Sequence, residues 1–239
     1  MSAMVAGSES ARQRWVAYGC CENAMTVSST DRVRRAIASE RDERRLLAPE
    51  LVGRDLELAA LDAALAGTAG GTGRVLLVAG DAGIGKTALL RAFVARARSA
   101  RVGVLVGECS EAGAARPFGP FVEILRSALA TFPTDVVERS LQSHARELVR
   151  FAPERPSGRI QLPSTPTERF QSHESFAMFF ADLARSNPLV LAVEDVHFAD
   201  PATLELLPYL ARRLRSDRVL IILTHRGDEL HRLKRCGLC

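Results

Sequence analysis

An α/β fold, with a mostly parallel sheet between two layers of helices, is what this sequence predicts from three observations. Short, wholly apolar runs recur along the chain: "RVLLVAG", "RVGVLVGEC", "PLVLAV" and "RVLIILT". Runs of that length, apolar throughout rather than alternating, mark strands covered on both faces. Stretches with apolar residues at helical spacing separate them, and such alternation implies parallel strands joined by right-handed crossovers. Finally, the glycine-rich "GDAGIGKT" follows directly on the first run, at the carboxyl end of a strand where sheets of this type collect ligands.

Taken in order, residues 1–46 mix Ser, Ala, Arg and Glu without a sustained apolar period and are expected to be a mobile extension, apart from a short helix around Asp31 to Ile37. The main domain is expected over 47–230. Leu58, Leu61 and Leu65 share one face of a helix that ends in the glycines from Gly67 onward. After the glycine-rich loop, Thr87 to Arg98 forms a helix with Leu90, Phe93, Val94 and Ala97 inward. Pro117 to Pro120 turn the chain into a helix whose Phe121, Leu125 and Leu129 align. Residues 152–166 hold four prolines and read as a surface loop, and Thr167 to Arg185 is helical again. Asp200 followed by Pro201 opens another helix, which Pro208 is expected to kink or shorten. Residues 231–239 form a basic tail.

With 47% hydrophobic and 25% charged residues the chain has the composition of a soluble globular domain. The longest apolar runs fall far short of the roughly 20 residues that span a bilayer, so no membrane association and a cytoplasmic location are expected. "WVAYGCC" is too short and mixed for the apolar centre of a secretory signal, and the five cysteines are expected to be thiols. The net charge of +4 is accounted for by residues 211–239, which carry eight Arg or Lys against three Asp or Glu, so the body offers little to a nucleic acid. Only Lys86 and Lys234 among the 32 basic residues are lysines. In a chain that otherwise writes Arg, a lysine inside the glycine-rich loop answers a need for a compact ammonium.

Gly80, Gly83, Gly85, Lys86 and Thr87 satisfy G-x-x-x-x-G-K-[ST], flanked by an apolar strand and an apolar-periodic helix, the context that motif requires. The glycines let the backbone from Gly80 through Asp81, Ala82, Gly83, Ile84 and Gly85 curl close, so that its N–H groups face phosphate oxygens at a helix N-terminus. Lys86 would meet the β- and γ-phosphates, and Thr87 would offer its hydroxyl to Mg²⁺. The expectation is therefore a P-loop that holds a nucleoside triphosphate with Mg²⁺. At the end of the third apolar run, "VEDVHFAD" sets Glu194 and Asp195 side by side, where a second Mg²⁺ ligand and a water-orienting base belong. Asp200 is more simply a helix N-cap than a metal ligand. After the fourth run, Arg226 sits at the same sheet edge, placed to read a γ-phosphate. His144, His173, His225 and His231 are expected on the surface or in helices. A zinc site from Cys20, Cys21, Cys236 and Cys239 is disfavoured, because only the last pair has the C-x-x-C form.

These segments resemble the AAA-like ATPase module of signal-transduction (STAND-type) ATPases, in particular that of the large ATP-dependent LuxR-type bacterial transcriptional regulators. The likeness rests on "LVGRDLELAALDAAL", "GRVLLVAGDAGIGKTALLRAF", "RPFGPFVEIL", "PLVLAVEDVHFADPATLELL" and "LIILTHRGDEL", in that order, over about residues 50–230. It implies that Val52, Gly53 and Arg54 border the adenine and that Arg226 is a sensor arginine. It also implies a P-loop NTPase of three αβα layers that uses ATP. Relatives write the acidic pair as Asp followed by Asp or Glu. Here Glu194 falls at the magnesium position and Asp195 at that of the base, and the exchanged roles stay open. The family continues with a further strand, a helical lid, helical repeats and often a DNA-binding helix-turn-helix. This chain ends at "HRLKRCGLC", so the expectation is a truncated relative, its sheet incomplete at the C-terminus, with no DNA-binding element of its own and with protein partners or self-association open. ATP binding with slow hydrolysis or a switch role leads. A small-molecule kinase using the same loop, and a non-catalytic interaction module, are the alternatives.

Overall fold

The computed structural model describes residues 16–19, 53–111, 116–142, 144–148, 151, 163 and 165–226. Their elements are β1 (Val16–Gly19), α1 (Asp55–Thr68), β2 (Arg74–Ala79), α2 (Lys86–Ser99), β3 (Gly103–Glu108), α3 (Gly119–Thr131), α4 (Thr134–Gln142), α5 (Ala145–Leu148), α6 (Pro166–Leu183), β4 (Leu189–Glu194), α7 (Pro201–Arg213) and β5 (Val219–His225).

The sheet runs β1-β2-β5-β4-β3. All four strands expected from the apolar runs pair in parallel: β2 with β5, β5 with β4, and β4 with β3. Their carboxyl ends therefore share one rim. The fifth strand has no counterpart in the sequence reading. β1 lies within the segment expected to be a mobile extension, and it pairs antiparallel with the outer edge of β2, Val16 opposite Ala79.

Strand side chains alternate between two cores. Leu189, Leu191 and Val193 of β4, with Val219, Ile221 and Leu223 of β5, face α3, α6 and α7. Val190, Ala192, Leu220 and Ile222 face α1 and α2. Both faces are thus covered, which is why these runs carry no polar alternation. The first core is strongly aromatic: Phe118, Phe121, Phe151, Phe176, Phe179 and Phe180 are all buried in it. In the second, Leu90, Phe93, Val94 and Ala97 of α2 point inward as their spacing predicts, together with Leu58 and Leu61 of α1. The three-layer αβα architecture follows.

Several boundaries shift. α6 begins at Pro166 because Thr165 accepts a hydrogen bond from the Glu168 N–H, and the Glu168 carboxylate accepts one from the Thr165 N–H, a reciprocal cap. α7 runs through Pro208 to Arg213 rather than ending there; Leu206, Leu207 and Leu210 are buried around that proline, and their packing holds the helix on. α4 and α5 were not foreseen. The short helix around Asp31 to Ile37, most of the proline-rich loop, the cysteines at 20, 21, 236 and 239, and the basic tail lie outside the described residues.

Candidate functional site

The rim at the carboxyl ends of the parallel strands collects four segments. The loop between β2 and α2 carries two glycines with positive φ, Gly83 at 76° and Gly85 at 95°. L-residues rarely adopt that conformation. A Cβ added at either would meet nothing within 4 Å, so open space adjoins both. Gly80 is tied to the sheet by its N–H, which donates to the His225 carbonyl (3.3 Å), and the Gly85 carbonyl accepts the first α2 bond, from Leu89 (2.9 Å). Lys86, buried at the start of α2, donates from Nζ to the carbonyls of Gly80 (2.7 Å) and Asp81 (2.9 Å). These bonds hold the ammonium beside the loop, a placement that suits a polyanion.

The residues expected at the adenine divide. Val52 lies outside the described residues, and Gly53 is an exposed turn residue. Arg54 is tied to the loop itself: its Nη2 donates to the Ile84 carbonyl (2.9 Å) and its Nη1 to Glu57 Oε1 (3.2 Å). This arginine therefore braces the same backbone whose curl the glycines permit.

Across the rim, β4 ends at Glu194, whose carboxyl lies within electrostatic reach of the Thr87 hydroxyl. The sequence separates those two side chains widely, and the parallel sheet brings them together. Burial pushes the Glu194 carboxyl above its usual range. The Thr87 hydroxyl and Arg91 oppose this, while Glu108 and Asp195 add to it. Asp195 has left-handed backbone (φ 53°, ψ 47°), unusual outside glycine. Its N–H donates to Thr224 Oγ1 (2.9 Å), and its carbonyl accepts from Phe198 N–H (2.9 Å), closing the 3-10 turn Val196–Phe198. The turn directs the chain away from the sheet at once and leaves the Asp195 carboxylate partly exposed.

Asp200 is the N-cap of α7, as expected. Its Oδ1 accepts from the N–H of Thr203 (3.0 Å) and, more than 80 residues away, from that of Phe118 (3.2 Å). Arg226 is the first residue after β5 and half-buried, with its guanidinium carbon 5.8 Å from the centroid of the Phe198 ring. His225 corrects the surface-or-helix expectation. It is the last residue of β5 and fully buried, because the strand runs past the apolar run to place its carbonyl against Gly80. His173 does lie in a helix, α6, where burial lowers its pKa. Cys109 is buried behind the rim and donates its N–H to the Glu194 carbonyl (2.9 Å). Burial, with Asp200, Asp195, Glu123 and Glu108 nearby, pushes its thiol up to about 12, so it is no nucleophile.

Sequence reasoning missed Thr224 and Phe198 at this rim. Thr224 follows the apolar run of β5, and a hydroxyl in that place is a readable signal. Phe198 carries none, since an aromatic residue beside a helix start is ordinary core material.

A parallel αβα sheet with a glycine-rich loop feeding a helix, and a lysine held at the loop's foot, defines the P-loop class of nucleotide-binding folds. Residues 50–222 match the AAA ATPase domain family, and the chain belongs to that family. It is also 29% identical over 189 residues to an uncharacterised protein of Rhizobium meliloti (strain 1021), covering 74% of this chain and 18% of that protein. Membership carries nucleotide use, usually with magnesium. Among the described residues, no helix is long and apolar enough to cross a membrane.

Proposed function

We propose that this domain binds ATP with Mg²⁺ at the rim and acts as a nucleotide-dependent regulatory module of the signal-transduction type, in the manner of LuxR-type regulators. The observation that carries the reading is the approach of the Thr87 hydroxyl to Glu194 across the rim. It sets the hydroxyl that follows the loop lysine near the carboxylate at the end of β4, the two protein oxygens such a cation needs, and both lie beside the Gly80–Lys86 cradle.

In this reading the loop N–H groups from Asp81 to Thr87 and the N-terminus of α2 hold the phosphates, with Lys86 at their outer oxygens. Thr87 and Glu194 hold the magnesium, which when bound neutralises charge on the phosphates. Asp195, held by Thr224 and partly open to solvent, orients water and takes its proton. Gly53 and Arg54 border the base, with Val52, and Arg54 keeps the loop in shape through Ile84. Arg226 answers to the terminal phosphate. In this reading turnover is slow. The nucleotide then works as a switch, and its state biases regions or partners that touch this face.

Titration of the full 239-residue chain with a fluorescent ATP analogue and Mg²⁺ tests this. Binding is expected, and Lys86→Ala should weaken it by at least about 100-fold, the scale of removing a charge-assisted hydrogen bond to phosphate from a buried site. No binding by the unaltered chain, or equal binding by the variant, refutes the reading. Transfer of labelled phosphate to a metabolite rather than to water would turn it into that of a kinase.

A further inference from the structure

The packing of Arg226 on Phe198 has no part in that reading. Phe198 closes the 3-10 turn that starts from Asp195, and its N–H is bonded to the Asp195 carbonyl. Its ring lies against that of His197, with centroids 4.1 Å apart. His197 in turn meets His225, the residue before Arg226, edge-on at 6.1 Å, and its Nδ1 is 3.9 Å from Asp195 Oδ1. Arg226, just after β5, and Phe198, in the turn after β4, thus project from two segments tied together by the Thr224–Asp195 hydrogen bond and by the histidine pair. The 5.8 Å separation lies within the range over which a ring face attracts a cation.

A guanidinium resting on a ring keeps its N–H donors in its own plane, free to meet phosphate oxygens. Such a rest also limits the rotamers that a long side chain at a strand end would otherwise sample, so less entropy is lost when it engages a ligand. We infer that Phe198 is a positioning residue for Arg226: its ring holds the guanidinium at the rim beside Asp195, and so sets how well the domain tells a nucleoside triphosphate from a diphosphate. The inference rests on the reading of the rim as an ATP site. It adds the residue that governs the selectivity of that site for the terminal phosphate.

The test measures affinities of the full chain for a non-hydrolysable ATP analogue and for ADP, both with Mg²⁺. Arg226→Ala should lower the triphosphate-to-diphosphate preference. Phe198→Leu should lower the same preference by about twofold to fivefold, the worth of an exposed cation–π pair, with ADP affinity unchanged. Phe198→Trp, which offers a stronger ring face, should keep it, and Phe198→Leu with Arg226→Ala should be no worse than Arg226→Ala alone. Should Phe198→Leu not fold, Phe198→Met removes the ring with the same expectation. If Phe198 merely fills the core, Phe198→Leu will lower stability and leave the preference untouched, which overturns the inference. A readout without nucleotide separates the two claims: phenylglyoxal should modify Arg226 faster in Phe198→Leu than in the unaltered chain, followed by peptide mass spectrometry. Equal rates overturn the pairing even if ATP binds. Faster modification with no ATP binding leaves the pairing standing and removes the ATP site, and with it the selectivity role.

Discussion

The two halves of the rim are built in different ways. The loop from Gly80 to Thr87 is shaped mainly from within, by glycines at positive φ and by a lysine that bonds to carbonyls five and six residues back, with Arg54 and the His225 carbonyl as its outside ties. The turn from Glu194 to Asp200 is held largely from elsewhere: Thr224 bonds to Asp195, Asp200 to Phe118, and Thr87 faces Glu194. A backbone cradle can be written in a handful of consecutive residues. A pair of aimed carboxylates cannot, because each needs a partner on another strand or helix. The first half should therefore depend less on its surroundings than the second.

The largest effect that sharpens this contrast is expected for Asp200→Ala. It removes the N-cap of α7 and leaves the buried Phe118 N–H without its acceptor, for a loss of about 3 kcal/mol in stability by chemical denaturation. A loss below about 1 kcal/mol would mean that the second half is not strapped from outside. Next comes Thr224→Val, which keeps the shape of the side chain but deletes the acceptor for the Asp195 N–H. About 1–2 kcal/mol should go, and any ATP turnover should fall more than ATP affinity does, while Thr224→Ser restores both. Equal changes in turnover and affinity would break the link between Thr224 and the carboxylate.

Gly85→Ala probes the local half. Open space around that position leaves only the backbone conformation to oppose a methyl group, so the cost should be about 1–2 kcal/mol, with ATP affinity falling as well. A clearly larger loss of stability would show that the loop depends on its surroundings after all.

The smallest effect is a gain. Burial raises the Glu194 pKa above its usual 4.5, so the folded protein holds that proton more tightly than the unfolded chain. The stabilisation this brings is complete below the unfolded value and disappears as pH rises through the folded one. At neutral pH Glu194 therefore ionises at some cost to the fold. Glu194→Gln, which keeps the shape of the side chain without its charge, should melt slightly higher than the unaltered protein there. The gap should close as the pH falls toward 4.5. A variant that melts lower at neutral pH would contradict this sign.

Much of the fold was legible because its signals are local. The four parallel strands are apolar throughout since both faces are covered, and α2 shows its inward residues at helical spacing. The helix start at Asp200 was legible for the same reason, a carboxylate followed by proline. Strand β1 was not, because four ordinary residues become a strand only where β2 offers an unpaired edge. Nor was the burial of His225, which depends on β5 lying next to β2 and accepting the Gly80 N–H.

By itself the sequence determined the αβα class, the P-loop and the acids that face it, because periodicity, glycine placement and motif spacing act over a few residues. Tertiary structure alone decided that Thr224 holds Asp195, that Arg54 braces Ile84, and that Arg226 rests on Phe198. Each of those pairs joins residues 28 or more positions apart, and only the strand order, with β5 set between β2 and β4, and the packing of helices on that sheet bring them within reach.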